Sequence, residues 1–267
     1  MRPERVPEVL KTPINFKVIG IIFAGVIGLQ SFLYLTQESG DVEEGIAFLS
    51  MSLPLVVAIC SFFVAHRYGL SQVFGKSYLM FSLAYFVFFL AEMTYYAYDV
   101  IYGIDPYPSF ADIFFFAFYP LTAMHIIINL RFFKSKTTTW QKILFIAIPA
   151  VIFSAYTITA SEAYGGIEEI ILDDEATFDY LYGLIFVAVA AITLSLAALG
   201  AIVFRGGMLG IVWVLLLVGI LINNIGDVWY YYLELFGGFD LYHPVNLFWY
   251  SSSLIMIYAL YKHIKSI

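Results

Sequence analysis

Four carboxylates stand where the surrounding residues are almost entirely apolar. Glu92 and Asp99 are seven residues apart, with Tyr95 and Tyr96 between them. Asp227 and Glu234 repeat that spacing around Tyr230 and Tyr231. Residues seven apart on an α-helix share a face, so each pair predicts a stripe of carboxyls and phenols. No lysine or arginine lies nearby in the sequence to pair with any of the four. A carboxylate inside an apolar medium costs several kcal/mol unless it is protonated, hydrated or bound to a cation. The chemistry such stripes suit is ligand binding, ion conduction or proton relay. The plainer role is a protonated carboxyl joining helices through tyrosine hydroxyls. Asn223 and Asn224, one turn before Asp227, would extend a polar pocket on one side. Their counterparts Phe88 and Phe89 are apolar, so the expected pocket is asymmetric.

The two stretches belong to an internal repeat. Glu92 to Tyr107 aligns without a gap on Asp227 to Tyr242. The pairs Tyr95/Tyr230, Tyr96/Tyr231, Gly103/Gly238, Asp105/Asp240 and Tyr107/Tyr242 are identical. With gaps the correspondence continues from Pro108, Asp112 and Phe116 to Pro244, Asn246 and Tyr250. Self-similarity at this spacing points to duplicated structural units.

The elements that carry these residues are apolar helices. Of 267 residues, 62% are apolar, 19% aromatic and 12% charged, and the mean hydropathy is +0.87. A soluble domain carries about twice that share of charge. The composition predicts an all-α, polytopic integral membrane protein. It excludes a nucleic-acid-binding module, a disulfide-stapled domain and a disordered tail. About 20 apolar residues cross a bilayer, and eight runs qualify: 14–36, 45–66, 77–102, 110–132, 140–160, 178–204, 208–236 and 244–263. The first is too long and too acidic at its start for a cleaved signal peptide, so it reads as an anchor.

The copies are four helices apart and therefore parallel. The expected architecture is two four-helix pseudo-repeats, 1–136 and 137–267, related by an axis along the membrane normal. All 13 lysines and arginines fall on one side of the eight runs. Clusters such as Glu162 to Glu175 fall on the other. The positive-inside rule then puts both termini in the cytoplasm. On this topology Glu92 and Asp227 lie near the bilayer midplane, and Asp99 and Glu234 near its outer edge. Small residues at 20, 24 and 28, and at 188, 191, 195 and 198, predict close helix contacts. Pro54, Pro120 and Pro149 predict kinks or local openings.

Several activities find no residues to perform them. His66, His125, His243 and His263 have no metal-site spacing, and the acidic loop has no calcium-loop pattern. No Walker or dinucleotide-binding motif occurs, and the last run has no central lysine to hold retinal. No metal, cofactor or catalytic group is expected, and no enzyme activity. The single Cys60 can form no bridge within the chain. The outer tyrosines and tryptophans, among them Trp229, Tyr242, Trp249 and Tyr250, fit an interfacial aromatic belt. An aromatic cage for a cation, a lipid headgroup or another ligand is the alternative.

The stretch 103–121, with Pro108-Ser109-Phe-Ala111-Asp112 followed by Tyr119-Pro120, resembles a known signature. It is similar to the membrane-embedded N-terminal sensory region of bacterial diguanylate cyclases and related signalling proteins. The resemblance is carried by about thirty residues, Glu92 to Leu121. It implies a sensory or ligand-receiving membrane module. It implies no cyclase activity, because the chain has no Gly-Gly-Asp-Glu-Phe signature and ends just past the last run. Read physically, Ser109 or Asp112 caps the helix that follows. The expected function is ligand binding within the membrane, with output to a cytoplasmic or membrane protein partner. A proton-coupled transporter and a structural subunit of a larger complex are the alternatives. The candidate site is Glu92, Tyr95, Tyr96, Asp99, Asp112, Asn223, Asn224, Asp227, Tyr230, Tyr231 and Glu234.

Overall fold

The structure is a computed structural model. It describes residues 14–36, 41–104, 106–132, 137–204, 210–236 and 242–266. Asp105, Gly238 and Asp240 of the repeat lie outside the described residues, as do the basic residues at 2, 5, 11, 134, 136 and 205. The described residues are mostly in α-helices. The helices are α1 (Phe16–Leu35), α2 (Asp41–Tyr68), α3 (Val73–Tyr96), α4 (Phe110–Phe132) and α5 (Thr139–Ala163), then α6 (Ile167–Leu172), α7 (Asp174–Phe204), α8 (Gly210–Glu234) and α9 (Asn246–Ser266).

Seven helices among the described residues are long and apolar enough to cross a membrane: α1 to α5, α7 and α8. The chain is thus a multi-pass, all-α, membrane-type protein. The eighth expected run forms α9, which is less apolar because it carries Ser251, Ser252, Ser253, Lys262, His263 and Lys265. Many large apolar side chains face outward, Phe16, Ile21, Ile146, Val151 and Ile185 among them. In water such a surface would be an aggregation hazard, whereas in lipid it is the ordinary contact surface.

Local chemistry sets the helix boundaries. The Asn15 side chain accepts from the Lys17 amide at 3.0 Å. At α5, Thr138 and Gln141 form a reciprocal capping box. Pro54, Pro120 and Pro149 sit inside α2, α4 and α5 without interrupting them. One boundary differs from the sequence reading. The third run ends in a π-helical turn, Ala97–Ile101, where the i→i+5 pattern widens the helix.

Helix packing follows a closed order. α2 packs on α3, α3 on α4, α4 on α7, α7 on α8, α8 on α9, and α9 back on α2. The other two long helices are peripheral, α1 against α9 and α5 against α7. The core inside the ring is aromatic, with Tyr78, Phe81, Tyr85, Phe118 and Trp213 fully buried.

The two small-residue stripes behave differently. Ala191 and Ser195 are buried in α7, and the Ser195 hydroxyl donates to the Phe145 carbonyl of α5 at 2.7 Å. Gly20, Ala24 and Gly28 of α1 are exposed, and a Cβ on either glycine would meet nothing within 4 Å. The expectation of close contact fails there because α1 docks through another face, Val26, Gln30 and Leu33.

At the turn between α2 and α3, Gly69 has a φ of 93° and Gly75 lies against it. A Cβ on Gly75 would stand 2.0 Å from the Gly69 carbonyl oxygen. Backbone cannot swing aside as a side chain can. Gly75→Ala should therefore destabilise the protein by about 1–3 kcal/mol, as overpacking does elsewhere. A lower thermal midpoint in detergent checks this. Gly28→Ala, at an open helical position, serves as the control and should leave the midpoint unchanged or slightly raised.

Candidate functional site

The seam of α3 that faces α8 can be read from matched positions. Tyr78, Tyr85 and Glu92 recur at seven-residue intervals, and so do Trp213, Ile220 and Asp227. Tyr78 and Trp213, counterparts in the repeat register, meet edge to face with centroids 5.6 Å apart. Two further matched pairs approach across the same line. Glu92 interacts electrostatically with Asp227, and Tyr95 with Tyr230.

Asp227 is the best-coordinated of the four acids. It is only 6% exposed. One carboxyl oxygen accepts from the Trp249 indole at 2.9 Å, the other from the Asn223 amide at 2.9 Å. The Tyr119 hydroxyl supplies a third hydrogen bond. Asn223 in turn accepts from Ser252 at 3.4 Å. The close approach of α9 depends on Gly226, where a Cβ would lie 2.9 Å from Phe248 Cβ and 3.1 Å from Trp249 Nε1. Glu92 is half-buried. Its neighbours include Asp227 and the Tyr250 hydroxyl. Neither acid interacts with a lysine or arginine among the described residues.

The other candidates divide. Tyr230 is hydrogen-bonded to Glu234 and touches the rings of Tyr231 and Trp249, with centroids 5.2 Å and 5.9 Å away. Tyr231 stacks on Phe186 at 5.1 Å and is electrostatically coupled to Tyr119 and Asp227. Tyr96 is half-buried and makes no hydrogen bond or ring contact to this cluster among the described residues. Asn224 is buried but turns to its own helix, donating to the Ile220 carbonyl at 2.8 Å. It does not bond to Asp227 as its neighbour does. Asp99 and Glu234 are exposed. Asp99 falls within the π-helical turn Ala97–Ile101, where the strict seven-residue α-helical register from Glu92 no longer applies.

Asp112 is a capping residue. Its carboxylate accepts from the Ser109 amide at 2.6 Å, while the Ser109 hydroxyl accepts from the Ala111 amide at 3.1 Å. This is the reciprocal form of an N-terminal cap. Asp112 is also electrostatically coupled to Tyr107 and Tyr182. Tyr107 donates to Asp179 at 2.9 Å, which ties the turn before α4 to α7.

Sequence reasoning missed Tyr119, Tyr85 and Ser252, and assigned Trp249 to a general belt. The available signal was positional: Trp249 stands three residues into the helix that follows the second acidic stripe. A second buried cluster lies about 14 residues down α3 from Glu92, roughly 20 Å along the helix axis. There the two nitrogens of His263 face Tyr68 and Tyr78 at 2.6 Å and 3.0 Å. His125 Nδ1 lies 2.8 Å from the Ser77 hydroxyl. Trp213 stacks on His125 at 5.3 Å.

Compared with protein-family models, curated proteins and solved structures, the chain matches none.

Two predictions arise from this geometry. Asp227→Leu leaves the Trp249, Asn223 and Tyr119 donors without their acceptor. Buried donors so orphaned cost about 1–3 kcal/mol each, so the variant should unfold at a clearly lower temperature than Asp227→Asn, which keeps an acceptor oxygen. The second concerns Tyr107. Burial first, and then its hydrogen bond to Asp179, push its hydroxyl up from the ordinary value of 10.0. A folded-state value raised in this way gives stability that is complete below about pH 10 and is lost as the pH rises through the folded value. Thermal midpoints measured from pH 8 to pH 11 should therefore fall more steeply in the wild type than in Tyr107→Phe. Equal slopes would show that this hydroxyl contributes nothing.

Proposed function

We propose that the chain is a membrane-embedded ligand-binding module that signals through a protein partner. In this reading eight helices cross the bilayer, α1 to α5 and α7 to α9, with both termini cytoplasmic. Residues 1–136 and 137–267 form two parallel pseudo-repeats, in which α2, α3 and α4 correspond to α7, α8 and α9. The closed packing order supports this, since α2–α3, α3–α4 and α2–α9 have the counterparts α7–α8, α8–α9 and α7–α4. The peripheral helices break the symmetry, α1 packing on α9 and α5 on α7. The resemblance of residues 92–121 to sensory regions of diguanylate cyclases supports the same class.

The observation that carries the proposal is the electrostatic interaction of Glu92 with Asp227, neither of which is paired with a basic residue among the described residues. Two carboxyls held together in an apolar medium need a proton or a cationic group between them. Asp227 is satisfied by fixed donors, so the half-buried Glu92 is the member left to receive a ligand. Tyr95, Tyr230 and Tyr231 line the outer approach. No catalytic step is part of this reading. A proton-coupled transporter is the second reading, favoured by one feature. The acids meet where the two halves meet, and transporters of repeat construction bind substrate at such interfaces.

Native mass spectrometry of protein drawn directly from host membranes into nanodiscs tests the proposal. The wild type should carry a small adduct that the double variant Glu92→Gln, Asp227→Asn loses, with at least a tenfold drop in occupancy. Identical adduct patterns in two folded proteins would leave the acids a structural role only. Exchange of the released compound across proteoliposomes under a pH gradient would favour the transporter.

A further inference from the structure

A cavity of about 250 Å³ lies outside the helix ring, between α1, α2 and α9. Its walls are Ile22, Gly25 and Leu29 from α1, Leu49 and Leu53 from α2, and Tyr250 from α9. α1 packs on α9 but not closely on α2, so the cavity occupies the gap between them, on the lipid-facing side of the ring. All of its walls but one are hydrocarbon.

Tyr250 is the exception. It is 2% exposed. Its hydroxyl faces Ser50 and the Glu92 carboxyl without closing a hydrogen bond of good geometry to either. A buried hydroxyl is costly to leave unsatisfied, and that of Tyr250 is one of several buried polar groups so left among the described residues. Among the described residues, Tyr250 is the one that both walls the cavity and adjoins an acid of the central pair. Behind it the environment changes from hydrocarbon to carboxyl and aromatic face, with Tyr85, Tyr119, Tyr231 and Trp249 around Asp227.

We infer that this cavity is a lateral entrance from the bilayer to the acid pair, and that it takes an amphiphile with a cationic, amine-type head and an apolar chain. This rests on the ligand-binding reading above and specifies its ligand. The chain lies in the cavity. The head displaces the Tyr250 ring and sits beside Glu92, where it meets a carboxyl and several aromatic faces. Charge complementarity selects the head: an unneutralised carboxyl favours a cation, and aromatic rings add to the attraction. An anionic phospholipid head is disfavoured by the same two acids. A small inorganic cation would gain nothing from a hydrocarbon-walled approach.

The test uses the full chain in phosphatidylcholine nanodiscs, titrated with dodecyltrimethylammonium and read by native mass spectrometry. One saturable adduct is expected. It should bind at least tenfold more tightly than tetramethylammonium, which lacks the chain, and than a dodecyl sulfobetaine, whose head is zwitterionic. Glu92→Gln and Gly25→Phe should each weaken it at least tenfold. Gly25 is a wall residue of the cavity and a Cβ there meets nothing within 4 Å, so a bulky side chain can be introduced at that wall without a clash at its Cβ. The comparison of the three amphiphiles on the wild type stands even if a variant misfolds. Absence of a saturable adduct overturns the inference, as does equal binding of the zwitterion. If tetramethylammonium binds as tightly as the long chain, is lost in Glu92→Gln and ignores Gly25→Phe, the lateral entrance fails while the acid-centred site survives. If the adduct ignores both substitutions, both readings fail.

Discussion

In a medium without water, a buried carboxyl must find its hydrogen-bond donors within the protein. Much of the arrangement around the centre of this bundle follows from how Asp227 meets that demand. Three donors from three elements converge on it: Asn223 from its own helix, Trp249 from α9 and Tyr119 from α4. Their geometry fixes how near α4 and α9 stand to α8. The missing side chain of Gly226 lets α9 come close enough for the indole to reach. Electrostatic satisfaction and helix packing are thus one constraint at this point, because moving any of the three helices would strip a donor from a group that cannot turn to solvent.

The same constraint is met unequally in the two halves. Asn223 matches Phe88 in the repeat register, and Trp249 matches Phe115. The half that carries Glu92 therefore lacks both of the donors that hold Asp227. In the register that aligns the two stretches, the acids stand at matching positions while the residues around them differ. One acid became part of the framework, and the other was left half-buried with charge neighbours only.

Much of this was legible in the sequence, for physical reasons. Helix class and membrane character follow from composition, since nothing else accommodates so little charge. The inner acids could be singled out because a carboxyl in an apolar run is rare without cause. The capping role of Asp112 followed from the Ser109 spacing. What could not be read was anything depending on contacts between distant segments. Tyr119 and Trp249 look like two more aromatics among many, because no local pattern encodes the acid they reach. The π-helical turn that holds Asp99 was not legible either, because seven-residue arithmetic assumes that the α-helix continues. The stripe Gly20, Ala24 and Gly28 failed likewise, since small residues permit a contact without creating one.

The far end of α9 is fastened differently from its beginning. His263 meets two phenols from α2 and α3, and Arg67 donates to the Ile264 carbonyl at 2.8 Å. Three attachments to a single helical turn resist rotation about the helix axis. The same helix is therefore fastened a second time, well away from where Trp249 reaches Asp227. α9 is thus a strut pinned at both ends, by the hydrogen bonds around Asp227 at its beginning and by those of His263 and Ile264 at its finish.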